Sequence, residues 1–197
     1  MRQSRDMDEN DSARLAHVLE TALTVFTRHG FRKTSIEDIA KAAGISRQGI
    51  YFHFKNKDEL FRASVQKSLD TGLRAANEIL DDDRLTLEEK LLQALDKRFG
   101  RYAGLFPPDA SDIGTQCERI LGDAVGKYRS AFQRKLETAI LASSAKKTKG
   151  AGKRASTIAN MLCACGLTWK HSLSSQQEFL EKMRDAIQLC CRDLAGD

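Results

Sequence analysis

A chain of 197 residues with a net charge of +5, 41% hydrophobic and 30% charged residues and only two prolines has the balance of an ordered, helical, core-forming protein rather than a disordered one. No apolar run approaches the roughly 18 residues of a membrane span, and the opening MRQSRDMDENDS is too polar for a secretory leader, so a cytoplasmic protein with no membrane partner is expected. Five cysteines, an odd number, are then expected as thiols and not as a disulfide frame.

The first helix is expected from about Ala13 to His29, where Leu15, Leu19, Ala22 and Phe26 recur at helical spacing beside Val18 and Val25. Gly30 supplies a left-handed cap and Phe31 can fold back on the last turn. A short second helix follows. Thr34 or Ser35 can cap it, with Glu37 or Asp38 as the acid three residues on; Ile36, Ile39, Ala40 and Ala43 are its apolar face, and Gly44 ends it. Ser46 can cap a third helix opening Arg47-Gln48-Gly49-Ile50. Asn56 with Glu59 reads as a capping box for a fourth, running to about Ile79.

Thr86 and Glu89 box a fifth helix, expected to reach about Tyr102, and Pro107-Pro108 stops it before a sixth near 110 to 121. A seventh is expected from about Lys127 to Ser143, then a basic Gly- and Ser-rich loop, then an eighth from about Arg154 to His171. Ser175 and Glu178 box a ninth, with Phe179, Met183, Ile187, Cys190 and Leu194 along one side. No strand is expected. The close pairs Cys163/Cys165 and Cys190/Cys191 fall in helices at spacings that turn each pair's sulfurs apart, so they read as small core residues and not as metal ligands.

Charge is concentrated where the second and third helices lie. Residues 28 to 57 carry Arg28, Arg32, Lys33, Lys41, Arg47, Lys55 and Lys57 against only Glu37 and Asp38; the stretch 146 to 154 carries five further cations, Lys146, Lys147, Lys149, Lys153 and Arg154, and no acid. The rest of the chain is net acidic. A compact basic segment on an acidic chain is suited to meeting an anion. Two short helices joined by a tight turn form a helix-turn-helix, which inserts the first turn of its second helix among the base edges of the DNA major groove. In helical projection Ile50 and Phe54 face back toward Ile36, Ile39 and Ile45, leaving Arg47, Gln48, Tyr51 and the backbone of Gly49 outward. Arg47 suits guanine and Gln48 adenine, which makes them the candidate base readers. Thr34, Ser35, Tyr51, His53 and Lys57 stand at the edges as candidate phosphate contacts. Gly49 costs a helix about 1 kcal/mol relative to alanine, which a close approach to DNA can explain.

The segment FRKTSIEDIAKAAGISRQGIYFHFKNKDELF closely resembles the N-terminal domain of the TetR family of bacterial regulators. The resemblance covers about residues 12 to 62 and rests on Gly30-Phe31, Thr34, Ile39-Ala40, Ala43-Gly44-Ile45-Ser46, Ile50-Tyr51, His53-Phe54, Lys57 and Leu60. It implies an all-α fold of about nine helices: a three-helix DNA-binding domain over 11–62 with the helix-turn-helix at 35–54, and a helical ligand-binding and dimerisation domain over 63–197. It implies further a homodimeric repressor, joined through helices 8 and 9, that binds an operator in double-stranded DNA, holds phosphates with Thr34, Tyr51, His53 and Lys57, and keeps a small-molecule pocket for an effector.

Residue types alone must supply that pocket. Arg98, Tyr102, Phe106, Cys117, Tyr128, Trp169 and His171, with Phe99 and Phe132, are the aromatic, polar and thiol groups that can line it, and Arg98 is the natural anchor for an anion. Each can equally be a packing residue. Helices 8 and 9 carry apolar stripes that serve either the monomer core or a dimer surface. A ligand-binding or thiol redox-sensing helical protein with secondary DNA contact is the alternative, which the charge partition disfavours. Histidines 17, 29, 53 and 171 have no metal-ligand spacing, and no nucleophile motif or phosphate loop occurs, so no enzyme activity, metal or cofactor is expected.

Overall fold

The computed structural model describes residues 2–106, 112–143 and 150–192, with side chains from residue 11 onward. The Pro107-Pro108 stop, Lys146, Lys147 and Lys149 of the basic loop, and Leu194 lie outside the described residues. Among those described there are nine α helices and no strand: α1 (Arg2–His29), α2 (Ile36–Ala43), α3 (Arg47–His53), α4 (Lys57–Leu80), α5 (Leu87–Arg98), α6 (Asp112–Leu121), α7 (Ala124–Ala142), α8 (Ala151–Ser172) and α9 (Gln176–Cys191). None of them is long and apolar enough to cross a membrane.

The helix starts follow local hydrogen-bond chemistry. Ser35 caps α2: its hydroxyl accepts the Asp38 N–H and the Asp38 carboxylate accepts the Ser35 N–H, so of the two possible boxes the chain uses Ser35 with Asp38. Ser46 caps α3 by accepting the Gly49 N–H at 3.0 Å. Thr86 and Glu89 form a reciprocal box at α5. At α4 and α9 the expected boxes are displaced by one residue on the return arm. Asn56 accepts from Glu59, but the Glu59 carboxylate accepts from Lys55; Ser175 accepts from Glu178, whose carboxylate accepts from Ser174.

Several boundaries differ from the sequence reading: α7 and α8 begin three residues earlier, at Ala124 and Ala151, and α1 and α5 differ more. α1 begins at Arg2, earlier than Ala13, because nothing in its polar first turns breaks a helix. α5 ends at Arg98, and the chain to Tyr102 tightens into a 3-10 turn over Gly100–Tyr102. Gly100 lets the chain pass against the Phe179 ring there, where a side chain would collide.

The chain forms two compact units, residues 1–68 with 107–123, and residues 69–106 with 124–197. The first therefore takes in α6 as well as the N-terminal helices. Its core holds a triangle of Phe26, Phe31 and Phe61, with ring centroids 5.0 to 5.5 Å apart, and Val18, Ile39, Ile50 and Leu60 of the same unit are buried too. Truncating one of these rings to alanine is worth about 3–5 kcal/mol.

The second unit is built on facing stripes at four-residue spacing: Leu91 and Leu95 on α5, Phe132, Leu136 and Ile140 on α7, and Phe179, Met183 and Ile187 on α9, with Ile158 and Leu162 of α8 between them. The apolar stripe of α9 thus fills the unit's own core. What α8 and α9 leave outward is different: Met161, Ala164 and Thr168 on one, Leu189 on the other.

Candidate nucleic-acid interface

The turn between α2 and α3 is two residues of loop after a left-handed Gly44 (φ 66°), the conformation that glycine adopts without penalty. Ile50 and Phe54 are buried, which fixes the rotation of α3 and leaves Arg47, Gln48, Tyr51 and Phe52 on its outer face. Arg47 lies along Tyr51, its guanidinium 5.5 Å from the ring centre and 3.4 Å from the hydroxyl, so the two form one exposed donor group. Gln48 is exposed beside them.

Phe52 is the residue that sequence reasoning missed. Its ring is 84% exposed, edge-on to His53 at 5.0 Å between centroids. The signal was its place four residues after Gln48, on the same helical face.

Gly49 has ordinary helical backbone, and a methyl group there would meet only the Ser46 hydroxyl at 3.4 Å and the Ile45 side chain at 3.7 Å or more. Nothing inside the protein demands a glycine.

The phosphate candidates separate into outward and inward groups. Tyr51 and Ser35 are exposed and His53 is half-buried. Ser35's hydroxyl is engaged with Asp38, as acceptor and donor. Thr34 is buried, its hydroxyl donating to the Gly30 carbonyl at 2.7 Å across the turn that follows α1. Lys57 reaches back from the start of α4: its ammonium donates to the carbonyls of Phe31 and Thr34, both at 3.0 Å, and stands 4.4 Å over the Phe31 ring. It clamps the α1–α2 turn with two of its three N–H groups and retains the third.

Two residues of α6 reinforce that turn, and neither carried a local signal. The Asp112 carboxylate accepts the N–H groups of Phe31 at 3.1 Å and Arg32 at 2.8 Å. Arg119 makes a two-pronged pair with Asp58 at 2.8 and 3.1 Å and donates to Gln116 at 2.6 Å. The hydrogen bond from Arg119 holds the Asp58 carboxyl below its ordinary range.

Residues 18–64 match the family model described as bacterial regulatory proteins, tetR family. Residues 18–64 are thus similar to the TetR family. Residues of this chain are 42% identical over 66 positions to an uncharacterised HTH-type regulator, YfiR, of Bacillus subtilis, covering 34% of this chain and 32% of that one. They are 38% identical over 88 positions to the probable acrEF/envCD operon repressor of Escherichia coli, covering 40% and 37%. The alignment thus spans about a third of those relatives. A TetR-like regulator from Rhodococcus matches along the fold, with 26% identity, a TM-score of 0.64 and coverage of 93% of this chain and 97% of that one.

The ligand candidates divide in the same way as the units. Cys117 lies on α6 in the first unit, whereas Arg98, Tyr102, Phe106, Tyr128, Trp169 and His171 lie in the second. Tyr102, Phe106 and His171 form a run of rings, with centroids 6.4 and 4.4 Å apart. Trp169 packs edge-on to core Phe179, and the Tyr128 hydroxyl bonds Asp70. Burial pushes the Cys163 and Cys191 thiols up to about 11. Burial also raises Cys190, with Cys165 of α8 adding to it, and Cys190 in turn adds to the rise at Cys191.

Proposed function

We propose that this protein is a cytoplasmic, homodimeric repressor that binds a palindromic operator in double-stranded DNA and releases it when a small-molecule effector binds the second unit. The observation that carries this reading is the outer face of α3, where Arg47, Gln48, Tyr51 and Phe52 stand exposed on a helix whose rotation is locked by buried Ile50 and Phe54.

In this reading the first turn of α3 enters the major groove. Arg47 donates to guanine O6 and N7, and Gln48 pairs with adenine, each good bidentate contact contributing about 1–3 kcal/mol of discrimination. Phe52, on the same face, covers a thymine methyl. Gly49 brings backbone close to the duplex. Tyr51, His53 and the remaining N–H of Lys57 hold phosphates on either side, while Thr34 and Ser35 act chiefly by setting the turn and the α2 N-terminus that face the DNA backbone.

A dimer presents two such helices to successive major grooves, about 34–36 Å apart. The outward face of α8, Met161, Ala164 and Thr168, with Leu189 of α9, is the surface we assign to that dimer; its small residues allow helices to approach closely. An effector that lowers operator affinity 100-fold must favour the released state by about 2.7 kcal/mol. The repressor named among the relatives gives the sign of regulation proposed here.

The test is fluorescence anisotropy with labelled duplex at rising salt. A protein making about 6–10 phosphate contacts loses roughly 10³–10⁵ in affinity between 50 and 200 mM salt. Binding that is absent, or indifferent to salt, would overturn the reading.

A further inference from the structure

Arg98 ends α5 inside the second unit and is only 8% exposed. Among the described residues no carboxylate, carbonyl or hydroxyl accepts a hydrogen bond from its guanidinium; its one close contact of this kind is the face of the neighbouring Phe99 ring, 4.9 Å away. Phe99 in turn lies against the backbone of α8 at Gly166, where a side chain would collide with it. A guanidinium does not shed its proton in a protein, so the charge stays whatever the surroundings. A buried charge without a counter-charge is among the costliest features a fold can carry.

The neighbours deepen the imbalance. The groups that act on Arg98 are the phenol of Tyr102, the thiol of Cys163 and two further guanidiniums, Arg101 and Arg129; no carboxylate is among them. Burial keeps the Cys163 thiol neutral, so it supplies no counter-charge. Arg101 donates to the Tyr102 hydroxyl at 2.6 Å, tying that phenol to the same positive cluster. From Tyr102 the rings of Phe106 and His171 continue outward to the exposed end of α8.

We propose that the effector is an organic oxyanion, a carboxylate or sulfonate on an aromatic or apolar body, whose head pairs with Arg98 and whose body lies along Tyr102 and Phe106. The inference rests on the reading of the second unit as the effector-binding part. A planar guanidinium offers parallel N–H groups to two oxygens of one head group, and the charges of Arg101 and Arg129 act on Arg98 in the sense that favours an anion beside it. The ring run accepts a flat, apolar body.

The experiment uses the full chain and two fluorescent probes that share a ring body, 8-anilinonaphthalene-1-sulfonate and the uncharged N-phenyl-1-naphthylamine. Both are titrated into the wild type, Arg98→Met and Arg98→Gln, with duplex DNA binding measured on the same samples. The expected result is that the wild type binds the sulfonate at least tenfold more tightly than either variant, while the neutral amine binds all three alike. The ligand-free Arg98→Met variant is expected to melt at or above the wild-type temperature, since it removes an uncompensated charge. Sulfonate binding that does not depend on Arg98, or a variant that melts far below the wild type or fails to fold, would overturn the proposal by marking Arg98 as a packing residue. DNA binding retained beside Arg98-independent sulfonate binding overturns the anion site alone; wild-type protein that does not bind DNA overturns the regulator reading instead.

Discussion

The carboxylate of Asp112 accepts the backbone N–H of Arg32 at 2.8 Å, across 80 positions of chain, and its other oxygen accepts from Phe31. Gly30 makes this possible, since a side chain there would press on the same carboxylate. The turn that delivers α2 is therefore held by Asp112 on one side and by the Lys57 ammonium on the other, through carbonyls of Phe31 and Thr34. Asp112→Ala leaves two amides without their charged acceptor, which costs about 1–3 kcal/mol. The expected outcome is a lower melting temperature together with weaker DNA binding, measured by calorimetry and anisotropy. An unchanged melting temperature would show that the contact does not brace the turn.

The pair of Asp58 and Arg119 carries a pH signature. Its folded-state carboxyl is held below the ordinary value, chiefly by the Arg119 hydrogen bond, so its stabilisation is present above the unfolded carboxyl pKa and is lost as pH falls through the lower folded one. Both side chains are about half exposed, at 50% and 47%, so the effect is modest and screened by salt. The melting temperature of Asp58→Asn should lie below that of the wild type near pH 7, and the two should converge as the pH drops below about 4, the ordinary carboxyl range. A gap that persists in acid would mean the asparagine disturbs packing instead.

Gly49 separates fold from function. Alanine fits the space and improves helix propensity by about 1 kcal/mol, so Gly49→Ala should raise the melting temperature. If backbone approaches DNA at this point, the same substitution should weaken operator binding. Thermal melts and anisotropy on one preparation read both effects; tighter or unchanged binding would remove Gly49 from the interface.

Cys163 and Cys191 should be poor nucleophiles at neutral pH, because burial pushes both thiols up to about 11 and the thiolate is the reactive form. Alkylation of the native protein, followed by mass spectrometry, should spare these two at pH 7.5 and speed up as pH approaches their thiol range. Rapid labelling of Cys163 at neutral pH would revive a redox role for it.

What could be read from sequence was what is decided within a few residues. Ser35 with Asp38, Ser46 with Gly49, and Thr86 with Glu89 are partners three apart, so their caps were visible as spacings. The outward positions of Arg47, Gln48 and Tyr51 followed from helical projection against Ile50 and Phe54. Asp112 and Arg119 were not visible, since they act on Phe31, Arg32 and Asp58 across 61 to 81 positions. Periodicity marked the α9 stripe of Phe179, Met183 and Ile187 as apolar but could not say what covers it; the answer is the unit's own core. Phe52 shows the opposite limit, an aromatic that composition favours for burial and that stands in solvent.

In the proposed function α3 reads bases with Arg47 and Gln48. Its most direct test is selection of duplexes from a random library by the wild type and by the Arg47→Ala, Gln48→Ala double variant, with both shown to fold. The wild type should enrich an inverted repeat whose half-sites lie about 10–10.5 base pairs apart centre to centre, or a multiple of that. The double variant should keep salt-dependent binding and lose the sequence preference. The same enriched sequence from both proteins, or no enrichment by the wild type, would contradict it.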